Sequence, residues 1–270
     1  MNKMIMNRLT MLAVTLMASM ACFAQGKSVT TIGGGMAVDS IFDYLELQYK
    51  VLENATGYTV EVVGFSDAFK ADPTLFDSSD DIKTHNTVTL YHIIGESDKV
   101  QVKTYVARVA AGALNTTDAT LASKVTAIEI DYSDDMMATA PVIIGENAFA
   151  GLTSVATVES YTPGEEIQAI PTDAFADAVY LGASLYVPNC AMGKYAKLQG
   201  WKKFASIYNA DGELFGDING NGSVAGNDVT ALKRVLAGTR AETDACDVNS
   251  NGSVAGNDVT ALKRVVAGTY

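Results

Sequence analysis

The most informative stretch of the sequence reads DINGNGSVAGND and occupies residues 217–228. Side-chain oxygens recur at alternate positions of its first half, at Asp217, Asn219 and Asn221, and a carboxylate returns at the twelfth position as Asp228. Ca²⁺ is a hard cation that binds six to eight oxygens in flexible geometry, often from a loop with this spacing. The stretch therefore predicts a calcium loop of the EF-hand kind.

The other positions of the loop fit the same chemistry. Gly222 lies where the chain must turn sharply, and the absence of a Cβ permits a positive φ there. We expect the backbone carbonyl of Ser223 to be the next ligand, and Asp228 to close the set from the start of a helix with both oxygens. Ala225, at the ninth position, offers no side-chain oxygen, so a water is expected there. With only two carboxylates, the loop predicts weak binding suited to extracellular calcium, and hence a structural site.

The same pattern returns thirty residues later, and residues 251–265 are identical to residues 221–235. The alternative interpretation, two polar turns ahead of amphipathic helices, does not explain two copies in register. The sequence therefore predicts two Ca²⁺ ions, with candidate ligands Asp217, Asn219, Asn221, Ser223 and Asp228 in the first loop and Asp247, Asn249, Asn251, Ser253 and Asp258 in the second.

Each loop is followed directly by an apolar stripe at helical spacing. The stripes are Val229, Leu232, Val235 and Leu236 in the first copy and Val259, Leu262, Val265 and Val266 in the second. One helix after each loop, with Leu-Lys-Arg in both copies, resembles a type I dockerin. Since two short helices bury little apolar surface, folding and calcium binding should be coupled.

The dockerin resemblance implies a cohesin-domain partner, bound through residues at the end of each loop and on the exposed helix face. The matching positions here are Gly226, Asn227, Lys233 and Arg234, and then Gly256, Asn257, Lys263 and Arg264. Many dockerins have a Ser-Thr-like pair where this chain has Gly-Asn, which leaves the choice of partner open. Without the resemblance, the Lys-Arg pairs would be read as a solvated helix face.

The chain ahead of this module predicts β-structure. Alternating apolar residues suggest hairpins at residues 45–62 and 87–104, with a long exposed loop at residues 66–81 between them. Further on, IGENAFAGL at residues 144–152 is echoed by IPTDAFADA at residues 170–178. Three short β-like segments, at residues 127–130, 155–158 and 185–187, recur at a similar interval. A period of this length is typical of leucine-rich repeats. We therefore expect Phe149 and Phe175 to be core residues.

This middle region, with LYVP at residues 185–188 and GWKKF at residues 200–204 as its closing unit, resembles BspA-like leucine-rich repeats of secreted bacterial proteins. A generic β-rich domain with a chance Ala-Phe echo is the alternative. The fold class expected is thus multidomain α+β: a β-rich N-terminal region running into a short BspA-like leucine-rich solenoid, followed by a small all-α dockerin with two EF-hand-like calcium loops. The expected boundaries are 1–24, 25–110 (β-rich), 111–208 (repeats), 209–214 (linker) and 215–270 (dockerin).

Location follows from the first residues. Lys3 and Arg8 precede an apolar run of about 12 residues, which is too short for a membrane span and typical of a signal peptide ending at Ala24. A lipoprotein anchored through Cys22 is the less favoured alternative. No later segment of the mature chain is long and apolar enough to cross a membrane, and we expect a secreted or cell-surface protein. A formal charge of −12 argues against nucleic acid as a partner.

No catalytic residues are predicted. His85 and His92 lack metal-ligand neighbours, and the acidic pairs in polar loops are typical of solvated carboxylates. The function expected is a secreted, non-catalytic interaction protein, whose repeat region is a binding surface for a carbohydrate or a host protein. The alternative is a small glycoside hydrolase of polysaccharide breakdown, tethered by its dockerin. A third possibility is a tail that stabilises or anchors without any cohesin.

Overall fold

The computed structural model describes residues 31–32, 35–53, 58–73, 81–83, 87–90, 100–132 and 141–270. These residues form a mixed α/β structure with two main sheets and six short α-helices. The strands are β1 (Thr31–Ile32), β2 (Gly35–Met36), β3 (Ile41–Tyr44), β4 (Leu47–Glu53), β5 (Tyr58–Phe65), β6 (Asp81–Lys83), β7 (Thr87–Leu90), β8 (Val100–Val109), β9 (Ala127–Ile130), β10 (Ile143–Ile144), β11 (Thr157–Ser160), β12 (Ser184–Val187) and β13 (Ser206–Asn209). The helices are α1 (Asp67–Ala71), α2 (Ala119–Lys124), α3 (Asp177–Gly182), α4 (Met192–Tyr195), α5 (Gly226–Leu236) and α6 (Gly256–Val266).

The first main sheet is mixed, with the strand order β10-β8-β5-β4-β3 and with β7 paired to β8. Alternating side chains point to opposite faces of a strand, so one register row lies in the core and the next in solvent. One buried row crosses the five strands from β3 to β10, without β7. It consists of Phe42, Tyr49, Val62, Val109 and Ile144. In the neighbouring row, Glu61 and Arg108 form an ion pair of 2.6 Å. The antiparallel registers of β4 with β5 and of β7 with β8 confirm the two predicted strand pairs, as far as their residues are described.

The second main sheet is entirely parallel, with the strand order β13-β12-β11-β9-β6. Its buried row contains Ile128, Val158, Leu185 and Ile207. On the other face, the rings of Tyr186 and Tyr208 stack with centroids 5.3 Å apart. The three β-like segments predicted between residues 127 and 187 thus all contribute strands to this sheet.

The 26-residue echo corresponds to a physical contact. The Phe149 and Phe175 rings are buried and stack with centroids 4.8 Å apart, as predicted for core residues. The two residues also share a parallel backbone bridge. Phe175 continues into an aromatic cluster with Tyr180, Trp201 and Phe204. Stacked and edge-to-face aromatic pairs stabilise a core beyond their buried area.

The predicted solenoid, in contrast, is wrong. Strand β10, directly before Phe149, pairs with β8 in the mixed sheet, whereas the residues directly before Phe175 form no strand. Strand β6, from the predicted N-terminal region, pairs with β9 in the parallel sheet. The two Phe-bearing segments are therefore not equivalent stacked units, and the β-rich region does not end where a run of repeats begins.

The expectation of a separate all-α module is also wrong. The C-terminal helices α5 and α6 are present and share a buried core that includes Leu232 and Leu262. However, Leu214 forms an antiparallel bridge with Tyr208, and the Phe215 amide donates to the carbonyl of Ile207. The chain therefore enters the module as an antiparallel extension of the parallel sheet, because Phe215, the first residue of the module, hydrogen-bonds to strand β13.

Two local expectations also need correction. Helix α1 lies in the segment predicted as an exposed loop, where Ser66 caps it by accepting from the Phe69 amide. The predicted apolar stripes include Leu236 and Val266, which are 43% and 40% exposed at the ends of their helices. Ala231 and Ala261, which the predicted stripes leave out, are buried instead.

Several predictions lie outside the described residues. They concern the signal peptide at residues 1–24, Cys22, and the two histidines, His85 and His92. Within the ranges that the structure describes, no helix has both the length and the apolar character to cross a membrane.

The aromatic cluster leads to a first prediction. Phe175→Ala should lower the free energy of unfolding by about 3–5 kcal/mol, because a fully buried ring is replaced by a cavity. Urea denaturation followed by far-UV circular dichroism measures the change. Leu181→Ala is the matched control, since Leu181 is 73% exposed and its loss should cost less than about 0.5 kcal/mol. Equal losses in the two variants would contradict the proposed packing.

Candidate calcium and docking site

Both predicted calcium loops form compact turns organised by their first carboxylate. In the first loop, Asp217 accepts from the amides of Gly220 and Asn221 through Oδ1, at 2.8 and 3.1 Å, and from the amide of Gly222 through Oδ2, at 2.6 Å. In the second loop, Asp247 accepts from the amides of Asn251 and Gly252 at 3.0 and 2.7 Å. The glycines at the sixth position have φ values of +81° and +85°, as the predicted sharp turn requires.

The twelfth position of each loop ties the loop to the helix that follows. Asp228 Oδ2 accepts from the Ala225 amide at 2.8 Å, and its Oδ1 accepts from the backbone amide of Asn219 at 3.0 Å. Asp258 makes the equivalent bonds to Ala255 and Asn249 at 2.9 and 3.0 Å. These carboxylates therefore cap their helices, where the positive end of the helix dipole favours a negative charge.

The remaining candidate ligands lie on the same turns. Asn221 and Asn251 accept from the amide and hydroxyl of the serine two residues later, which is Ser223 in the first loop and Ser253 in the second. The side-chain amide of Asn249 donates to Asp258 Oδ1 at 2.6 Å, and Asn219 makes the same contact with Asp228. The two ends of an asparagine amide have the same shape, so rotation about the last bond presents the oxygen instead.

The electrostatics of the loops favour a bound cation. Asp228 and Asp258 are completely buried, and Asp217 is 8% exposed. Among the described residues, no lysine or arginine forms an ion pair with any of the four loop aspartates. A buried charge is costly unless it is paired or coordinates a metal. Two carboxylates with neutral oxygen donors on each loop match the charge and the ligand preference of one Ca²⁺.

Clusters of three or more acidic, histidine or cysteine side chains are absent from the described part of the chain. This agrees with the loop chemistry, because each loop combines only two aspartates with asparagine and backbone oxygens.

The predicted docking residues form two exposed patches. All eight are exposed: Gly226, Asn227, Lys233 and Arg234 on the first helix, and Gly256, Asn257, Lys263 and Arg264 on the second. In each copy, the Gly-Asn pair begins the helix and the Lys-Arg pair lies two turns later on it. The structure therefore brings each set of four to one helix, at the surface.

Residues 215–267 match the family model of the dockerin type I domain. A dockerin type I domain is therefore detected in this chain. Dockerin type I domains bind calcium and dock onto cohesin partners, so both predictions are supported at that level. Neither the curated proteins nor the solved structures yielded a match, and the BspA-like context is not supported.

Sequence reasoning missed the contact between the dockerin module and the rest of the chain, which we call the body (residues up to 213). Asp244 Oδ2 accepts from the Cys190 amide at 2.7 Å and from the Asn209 side chain at 3.1 Å. Glu213 Oε2 accepts from the Ala245 amide at 3.1 Å. Residues 209–214, predicted as a linker, are thus held by hydrogen bonds at this contact.

A second group of contacts involves the start of the second calcium loop. The Gly193 amide donates to Ser250 Oγ at 2.9 Å, and Lys197 Nζ donates to the Asn249 carbonyl at 3.2 Å. Lys197 Nζ also lies 5.0 Å from the centre of the Tyr270 ring. The available signal lay in the two differences between the loops: Val248 and Ser250 in the second loop replace Ile218 and Gly220 in the first.

The two described cysteines are free thiols in different surroundings. Cys246 is buried, whereas Cys190 is exposed and lies 2.7 Å from Asp244 Oδ1 through its Sγ. The hydrogen bond to the carboxylate and partial burial raise the pKa of Cys190 to about 11. Burial alone would raise the pKa of Asp244, but the bonds from Cys190 and Asn209 outweigh it, so that pKa is lowered.

This pair provides a second prediction. Because only the thiolate is nucleophilic, Cys190 should react slowly with iodoacetamide at pH 8.5 despite its exposure. Asp244→Asn removes the negative charge and should speed its alkylation about tenfold or more, since one unit of pKa changes the thiolate fraction tenfold. Quantitative mass spectrometry of the Cys190 peptide measures the rate. Asp211→Asn is the control, because Asp211 bonds to Asn189 and not to the thiol. The same alkylation rate in both variants would contradict the claim that Asp244 raises the pKa of Cys190.

Proposed function

We propose that this chain is a secreted interaction protein that binds two Ca²⁺ ions and docks onto a cohesin-bearing partner through its dockerin module. In this proposal the body is the part that the module delivers. The observation that supports it best is the complete burial of Asp228 and Asp258 at equivalent positions, with no cationic side chain paired to them among the described residues. A divalent cation supplies the missing charge.

The first ion would be held by oxygens of Asp217, Asn219, Asn221, Ser223 and Asp228, and the second by those of Asp247, Asn249, Asn251, Ser253 and Asp258. Calcium contributes neutralisation of two carboxylates in each loop and fixes the loop to its helix. The chain's own residues do the rest. Leu232 and Leu262 bury the helices against each other, and the aspartates at the twelfth positions set where each helix begins.

The docking surface follows from the arrangement of the two helices. Both present the same four exposed residue types, because the copies are identical over this part of the sequence. A partner could therefore engage either helix after the module is turned over. The Lys-Arg pairs place positive charge on both helices, although the net charge of the chain is −12. This local positive charge favours a partner with an acidic patch.

Calcium binding is tested with the carboxylates at the twelfth positions. Asp228→Asn combined with Asp258→Asn should weaken calcium binding by at least the roughly 10- to 100-fold typical of losing an outer-shell partner, since these residues are proposed as direct ligands. Calorimetric titration of the EDTA-stripped chain with CaCl₂ measures it, with far-UV circular dichroism as a check on helix content. Glu242→Gln removes an exposed carboxylate between the loops and should change nothing. If the double variant gave the same heat of calcium binding as the unsubstituted chain, Asp228 and Asp258 would not be calcium ligands.

Docking is tested by capture from the native secretome on the immobilised chain, with and without EDTA. We expect a cohesin-bearing protein to be retained with calcium and released by EDTA. Lys233→Ala with Arg234→Ala should leave capture largely intact because the second helix remains. Adding Lys263→Ala and Arg264→Ala should abolish capture.

The matched control removes two exposed basic residues elsewhere, Lys202→Ala with Arg240→Ala, and should retain capture. A captured set that EDTA does not change would count against docking. It would favour a tail that only anchors or stabilises.

A further inference from the structure

The two calcium loops have nearly the same sequence but different surroundings. In the second loop, residues 248–250 pack against helix α4 of the body, through the bond from the Gly193 amide to Ser250 Oγ at 2.9 Å. Ser250 is 8% exposed. At the equivalent position of the first loop, Gly220 is exposed, and a Cβ built on it would have no heavy atom within 4 Å.

The backbone on both sides of this contact is adapted to it. Ser250 has a φ of +54°, a left-handed conformation that residues with a Cβ rarely adopt, and Gly220 has +74° at the same position. The serine thus occupies a position that favours glycine, and its hydroxyl bonds to the body. On the other side, a Cβ on Gly193 would lie 2.2 Å from the carbonyl oxygen of Val248, so only glycine permits this approach.

We propose that the body is part of the second calcium site: helix α4 braces residues 248–250, so that the second loop holds Ca²⁺ more tightly than the first. This inference rests on the proposed calcium binding. The braced segment lies between the candidate ligands Asp247 and Asn251 and contains a third, Asn249. A loop held in its ligand-presenting shape loses less conformational freedom when the ion binds, which raises affinity.

One charge opposes this effect. The Lys197 ammonium bonds to the Asn249 carbonyl and repels a cation in the loop. Lys197 is exposed to solvent, so that water and salt screen its charge, whereas the bond to Ser250 is buried. The brace is therefore expected to dominate.

The coupling must also act in the other direction, because linkage between two binding events is reciprocal. Calcium in the second loop should stabilise the body, whereas calcium in the first loop should do so much less. The chain has a single tryptophan, Trp201, which is buried in the body. Its ring lies 5.2 Å from that of Tyr195 on helix α4, so its fluorescence reports unfolding beside the contact.

The experiment compares the loops one at a time in the full chain. Asp217→Ala leaves the second loop intact, and Asp247→Ala leaves the first. Calorimetric titration of the EDTA-stripped variants with CaCl₂ should give a dissociation constant roughly fivefold lower for Asp217→Ala, the ratio that one net hydrogen bond produces. Calcium should also raise the unfolding midpoint of Trp201 fluorescence in Asp217→Ala more than in Asp247→Ala.

Swapping the distinguishing residue tests the cause. Adding Ser250→Gly to Asp217→Ala gives the second loop the residue that the first loop has, and should remove most of the advantage. Adding Gly220→Ser to Asp247→Ala is the matched control and should not tighten binding, since none of the described body residues lies within 4 Å of a Cβ at that position. Circular dichroism before titration verifies that each variant is folded.

The outcomes separate this inference from the proposed function. If both single-loop variants bind calcium within twofold of each other, or if Ser250→Gly leaves the difference intact, the brace is refuted while calcium binding stands. If the unsubstituted chain shows no heat with millimolar calcium, the proposed function fails, and the inference fails with it.

Discussion

The C-terminal dockerin module depends on the negative charge that its two loops bury. Asp228 and Asp258 have no exposure to water, and their partners among the described residues are neutral N–H groups. Hydrogen bonds and a helix dipole reduce the cost of such a charge but do not cancel it. Two short helices with a small shared core have little stability with which to offset that cost. The helix pair and the surface it presents are therefore expected to exist as a consequence of cation binding.

The dockerin module could be predicted in detail because its determinants are local. The ligand pattern, the sharp turn at Gly222 and the apolar spacing all lie within a single copy, and the second copy repeats them. The errors concerned Leu236 and Val266, which remain exposed at the ends of the helices, and Ala231 and Ala261, which are buried within them. Periodicity specifies a face, but the size of the residue at the closest approach of two helices depends on packing, which the sequence pattern does not contain.

The body was harder to predict because sheet pairing is not local. The alternation of apolar residues identified strands β4, β5, β7 and β8 but not β3, β6, β10 or β13. The echo around Phe149 and Phe175 identified two core residues, whose rings stack. Neither signal says which strands are neighbours. Strands β6 and β10 each contribute only two or three residues and pair outside the region where the sequence placed them. Short strands carry few side chains to define a partner, so contacts from distant parts of the chain decide the sheet they join.

The identity of the two copies makes the rest of the module more informative. From residue 221 to 235 and from 251 to 265 the ligand chemistry and the helix faces are the same, so any functional difference between the copies must come from outside these segments. The differences beside the second loop include Val248 and Ser250, which replace Ile218 and Gly220, and Tyr270. The Tyr270 hydroxyl donates to the Val248 carbonyl at 2.7 Å, and its ring lies 5.5 Å from that of Phe215. Ser250 and Tyr270 both contact the body, through the bond from the Gly193 amide and through the Lys197 ammonium near the Tyr270 ring. The two copies of the module are nearly identical in sequence, but among the described residues only the second loop hydrogen-bonds to the body. The expected difference between the copies is therefore in calcium affinity, whereas both docking helices stay exposed.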